Sequence, residues 1–289
     1  MLSEKEIVSL IKMLDDPDVA ISSSIISTLS NTDKKTIPLM EEIWELSMDS
    51  LVRAHIQTIT ATIIENEAIS FFKKWKSEPN VLKAWMYLNE LCHPEFSQED
   101  TLNFMNKIRF DAWIEMNENQ STLEKCNILS IVLQKRILSK ITLNKENSSE
   151  TYLISNIAKT SIASQTAAAV IFQELASQLE IQLFGLNVFE YAILGYLNPS
   201  NSFETNFKQE DVLFYIIFSD KISFIGNHQL DFGKNSDDIN NFKMASPIET
   251  FEKIIYGLIQ SYRKEGNNIL EKLCVKIYKT ITESEGVKS

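Results

Sequence analysis

The residues able to do chemistry are few in this chain: 3 histidines and 3 cysteines among 289 residues, with no two of one type close together. Cys92 and His93 are neighbours in "LNELCHPEF". On a helix, adjacent positions point about 100° apart, and Pro94 ends the element, so the pair reads as a helix terminus. His55 lies at the edge of an amphipathic helical face, and His228 sits in the loop "GNHQLDFG" with Asp231 close behind. Three separated histidines do not make a zinc site. The acidic pairs Asp15/Asp16 and Asp237/Asp238 read as a helix start and a solvated loop. Ser161, Ser164 and His228 are the groups a residual hydrolase or amidase would draw on.

Charge narrows the partners. Lys plus Arg is 28 against 39 for Asp plus Glu, a net charge of −11. A phosphate backbone or an anionic membrane calls for clustered cations and counterion release, so neither nucleic acid nor membrane is expected as a partner. The longest apolar run is "VLFYIIF", residues 212 to 218, and the N-terminus "MLSEKEIVSL" is polar. No transmembrane span or secretory signal is read, and a cytoplasmic location is expected. Cys92, Cys126 and Cys274 are widely spaced and odd in number, which suits a reducing compartment rather than a disulfide framework.

Glycine usage divides the chain: there are 7, all at or after Gly185. Absence of GxG pairs removes the amide loops that cradle phosphates in P-loop and dinucleotide-binding folds. No cofactor is expected. "SEKEIVSLIKML" begins with Ser3 and Glu6 in capping-box spacing, with Ile7, Leu10, Ile11 and Leu14 on one face. Asp18 caps a second helix, Pro38 suits the first turn of a third, and Val52, Ile56, Ile59 and Ile63 mark a fourth. Four short helices resemble HEAT-like hairpins over residues 1–78. Further helices follow to about 142, then a polar loop at 144–150, then "TYLISNIAKT" and "SQTAAAVIFQELASQL". Strands are predicted at 181–188, 191–197, 212–218 and 222–225 from their Ile, Leu, Phe, Tyr and Val content, as a small antiparallel sheet on the preceding helix. Ser246, Pro247 and Glu249 open a closing pair of helices turned at Gly266, residues 246–289, resembling one tetratricopeptide (TPR) unit. The fold class is therefore α+β, predominantly helical.

The order of these parts resembles a bacterial family of transglutaminase-like, TPR-containing proteins, the SirB type, some named regulators of sirC expression. "IVSLIKMLDDPD" and "TIPLMEEIWELSMDSLVRAHI" are similar to its helical N-terminal region, and "STLEKCNILSIVL" to the segment leading into its core. "SSETYLISNI" matches its Asn-Ser-Tyr-Leu segment at Tyr152 and Leu153. "ELASQLEIQLFGLNV" is similar to its helix-to-strand passage, and "SPIETFEKIIYGLIQSYRKEGN" to its closing hairpin. The resemblance implies a degenerate transglutaminase-like core over 79–245. The family's Pro-Gly-His-Phe falls here on Phe189, Glu190, Tyr191 and Ala192, and its Asp-Pro-Phe on Ile217, Phe218 and Ser219. The helix start that holds cysteine in true transglutaminases falls near Thr166.

Acyl transfer in such a fold needs a thiolate, an imidazole to activate it and a carboxylate to orient the imidazole. Thr166 is a hindered alcohol. Tyr191 has a free pKa of about 10 and is no base at neutral pH. Ile217 orients nothing. The resemblance thus implies vestigial triad positions and a non-catalytic interaction, scaffold or regulatory protein with a protein or peptide partner. The aromatic residues Phe184, Phe189, Tyr191, Phe214, Tyr215 and Phe218 are expected as the two faces of a buried sheet. Tyr191 is expected to pack its ring against Ala167 to Ala169.

Overall fold

A computed structural model describes residues 2–93, 96–136, 148–186, 192–198, 206–219, 221–229 and 242–283. Two compact units result, residues 1–74 and 75–289.

The first unit is helical: α1 (Glu4–Ile11), α2 (Val19–Ser30), α3 (Ile37–Leu46) and α4 (Ser50–Trp75), whose last residue belongs to the second unit. Each start has its chemical reason. The Ser3 hydroxyl accepts from the Glu6 N–H, and the Glu6 carboxylate accepts from the Ser3 N–H at 2.7 Å, satisfying two amides the helix cannot. Asp18 accepts from the Ala20 N–H at 2.8 Å, and Pro38 occupies the first turn of α3. Ile7, Ile11, Leu14, Ile25, Leu29, Met40, Ile56, Ile59 and Ile63 form one buried cluster. The fourth helix departs from the expected short element, running 26 residues. Its cause is compositional, because no proline or glycine lies between Pro38 and Pro79 to stop it.

The second unit joins helices to a sheet. Its helices are α5 (Val81–Cys92), α6 (Gln98–Glu115), α7 (Thr122–Arg136), α8 (Ile154–Thr160), α9 (Gln165–Gln178), α10 (Pro247–Glu265) and α11 (Asn268–Thr282). A 3-10 turn, Ser149–Tyr152, precedes α8. Strands β1 (Phe184–Gly185), β2 (Ile193–Leu197), β4 (Val212–Phe218) and β5 (Ile222–Gly226) form one antiparallel sheet in the order β1-β2-β4-β5. A separate ribbon pairs β3 (Asn206–Phe207) with β6 (Phe242–Lys243).

The sheet lies on α9, where Phe172 meets Phe218 edge-on at 5.6 Å between ring centroids, and Ala167 to Ala169 are buried. Trp85, Phe172, Tyr215, Phe218 and Phe251 are the largest fully buried side chains of this unit, each worth about 1.5–3 kcal/mol of transfer free energy or more. The first predicted strand is much shorter than expected: only Phe184 and Gly185 are strand, extended by a bridge from Leu186 to Met244. Residues 181–183 have no strand partner. The closing hairpin starts on a second capping box, Ser246 with Glu249. It turns at Gly266, whose φ of 72° is the left-handed conformation glycine adopts without strain.

Candidate functional site

Ser161, Ser164 and Thr166, three of the residues singled out from the sequence, lie between the end of α8 and the first turn of α9. Ser164 is the N-cap of α9: its hydroxyl accepts from the Ala167 N–H at 3.1 Å, and its own N–H donates to the Thr151 carbonyl at 2.9 Å. The residue is 1% exposed. A capping hydroxyl so enclosed stabilises the helix start by about 1 kcal/mol, with one of its lone pairs taken by the backbone. Thr166 lies in the first turn of α9, half-buried. Ser161 ends α8 with a φ of 60°, a conformation that is uncommon for a residue with a Cβ.

Ile217 is not brought to this junction. Successive side chains on a strand face opposite ways, and Phe218 is the neighbour that meets Phe172 on α9. Ile217 packs on the other face, with the cluster of Leu186, Ile193, Leu197, Val212 and Tyr215, paired across the ladder with Ile193 and Ser223. Ile217 therefore faces away from α9, in whose first turn Thr166 lies. Phe189 and Tyr191, and with them the expected packing on the α9 alanines, lie outside the described residues, as do Asp231, Asp237 and Asp238.

The remaining candidates are scattered. His55 Nδ1 lies 3.0 Å from the Leu14 carbonyl in the first unit. His228 is exposed in the 3-10 turn Asn227–Gln229 after β5. Asp15 is exposed, and Asp16 accepts from the Asp18 N–H at 2.9 Å in the turn before α2. Among the described residues no group of three or more His, Cys, Asp or Glu is placed to hold a metal ion, and no helix is long and apolar enough to cross a membrane.

One cluster goes beyond the sequence reading. Cys92, at the end of α5, is hydrogen-bonded to Cys274 on α11 and to the Tyr262 hydroxyl on α10. Donation from Cys274 and then from Tyr262 holds the Cys92 thiol below its usual range, while the hydrogen bond to Cys92 and burial push Cys274 well up. Burial and the neighbouring Cys92 raise Tyr262. All three cysteines are free thiols. Cys126 stands apart in α7, pushed up to about 12 by burial alone. A separation of nearly the whole second unit hid the Cys92–Cys274 contact, since only the packing of α5 against the closing hairpin creates it. His93 caps α5 through its N–H on the Asn89 carbonyl at 2.8 Å.

The buried polar groups that do converge are structural. Asn89 is fully buried and donates Nδ2 to the Trp85 carbonyl at 2.9 Å, while its Oδ1 accepts from the Ser155 N–H at 3.2 Å and hydroxyl at 3.1 Å. Trp85 Nε1 in turn donates to the Tyr152 carbonyl at 2.7 Å. These bonds tie α5 to the turn and helix that lead into α9, and they set the Ser164 cap in place. On the outer side of α6, Phe110 and Trp113 stack at 6.2 Å and are 57% and 63% exposed.

No protein-family model, curated protein or solved structure matches this chain.

Proposed function

We propose that the chain is a non-catalytic interaction, scaffold or regulatory protein of the cytoplasm, with a degenerate transglutaminase-like core of the SirB type. HEAT-like helices precede that core and a TPR-like hairpin closes it. Its partner is a protein or peptide, and it uses no cofactor. The observation that carries this reading is the state of Ser164: the hydroxyl at the start of the core helix is enclosed and spent as a cap, with no histidine bonded to it among the described residues. A nucleophile requires the opposite, a reachable oxygen or sulfur beside a base. Support for a protein partner comes from the exposed Phe110–Trp113 stack, since aromatic surface is what interfaces enrich.

The rival reading, a residual hydrolase or amidase, draws on Ser161, whose positive φ resembles the strain stored at reactive residues. Reaction of the folded protein with a serine-directed fluorophosphonate and with an alkylating thiol probe separates the two readings. The expected result is no adduct at Ser161, Ser164 or any cysteine that forms on the folded chain and disappears after heat denaturation. An adduct of that kind would establish an activated nucleophile and replace this proposal with the rival.

A further inference from the structure

A cleft of about 580 Å³ opens between α6, the end of α7 and α8 in the second unit. Its volume is that of a site for a small organic ligand. The charge of its lining runs against the rest of the molecule. The chain carries −11, yet Lys107, Lys135, Arg136 and Lys159 all border this cleft, with Asp100 as the single acid.

Three of these positions have an ordinary explanation, and the fourth does not. Lys135 and Arg136 end α7 and Lys159 ends α8, where a cation offsets the carbonyls of a helix C-terminus. That effect does not explain why two helix ends bring their cations to one hollow. Lys107 lies in the middle of α6 and has no helix end to serve. The acid one turn beyond it, Asp111, is taken by Arg136, which places Nε 2.9 Å from the carboxylate. Lys107, Lys135 and Lys159 form no ion pair among the described residues. Like charges held together repel, so an arrangement of this kind is relieved by an anion.

The neutral lining fits the same ligand. Asn103 offers a side-chain amide donor at the lining and Phe104 gives one apolar wall, while the Thr101 hydroxyl is held by the Ser97 carbonyl at 3.1 Å. Ser161 also faces the cleft, and its left-handed φ of 60° turns the chain there at a strain that no glycine relieves. We propose that this cleft is a binding site for a small polyanion of the phosphate-ester class, with Lys107 and Lys159 as its principal charge partners. Arg136 contributes the face of its guanidinium not given to Asp111. The site is separate from the Ser164 cap, and its occupancy does not depend on whether the chain is catalytic.

Isothermal titration calorimetry at low ionic strength tests the assignment on the full chain, with inorganic pyrophosphate and phenyl phosphate as probes. Binding of either probe with a Kd below about 1 mM is expected. The paired Lys107→Gln/Lys159→Gln substitution should weaken it by roughly tenfold or more, as expected for loss of two charge-assisted contacts. Lys107→Arg/Lys159→Arg should keep it, and so should Lys221→Gln, an exposed lysine away from the cleft. A preference for phenyl phosphate assigns an ester with an apolar body over Phe104, and a preference for pyrophosphate assigns an inorganic or terminal diphosphate group. Absence of binding by both probes at several millimolar, or equal affinity in the Gln pair and the parent, overturns the proposal.

Discussion

Replacing Gly257 by alanine should destabilise the second unit by about 3 kcal/mol, the upper part of the range for overpacking a core. In an exposed helix the same change stabilises by about 1 kcal/mol, because alanine is the better helix former. The sign reverses here because α10 passes directly beneath the Tyr152 ring, and an added Cβ would overlap the ring carbons. The ring has little room to retreat. Tyr152 is 7% exposed, and its carbonyl is held by the Trp85 indole N–H. Urea denaturation of Gly257→Ala beside the parent reads the difference, and pairing it with Tyr152→Leu should restore part of the loss. A gain in stability for the single variant would show that α10 and the turn before α8 are not in contact.

Asn89→Leu should be nearly as damaging, at about 3 kcal/mol, although leucine fills a similar volume. Two donors, the N–H and the hydroxyl of Ser155, lose their shared acceptor inside the protein, and each buried donor left without one costs about 1–3 kcal/mol. For a unit of this size the loss corresponds to roughly 6–12 °C in Tm. Combining Asn89→Leu with Ser155→Ala removes one of the stranded donors and should cost less than the two separate effects added together. Strict additivity in thermal melts would mean that the two residues do not share the bond.

Local signals in the sequence carried most of the architecture. Ser3 with Glu6, Asp18, Pro38, Ser246 with Glu249 and Gly266 each predicted a helix boundary, and each performs that role. The reason is that caps and turns depend on residues within one turn of each other. Strands β2, β4 and β5 were legible from their β-branched and aromatic runs. The ribbon of Asn206–Phe207 with Phe242–Lys243 was not, because two residues make no period.

The candidate sites were read far less well, since they depend on contacts between distant segments. Cys92 and Cys274 meet only when α11 docks. The cations of the cleft come from three helices, and none forms a cluster along the chain. Ile217 was singled out on resemblance alone, and strand alternation puts it on the face of the sheet opposite Phe218, which meets α9. Tyr152 and Gly257, far apart along the chain, are likewise neighbours only in the fold.

The central claim is that the start of α9 is closed and structural. The Ser164→Cys variant tests it with a thiol in the place of the hydroxyl, read by maleimide labelling and peptide-resolved mass spectrometry at pH 7. A thiol at an open helix N-terminus has a lowered pKa and reacts readily, whereas one enclosed in packing is inert. Position 164 should stay unlabelled for as long as the protein is folded and should react only at the rate of global unfolding. Labelling within seconds, before any loss of structure, would show a reachable nucleophile position at the head of the core helix and contradict the non-catalytic account.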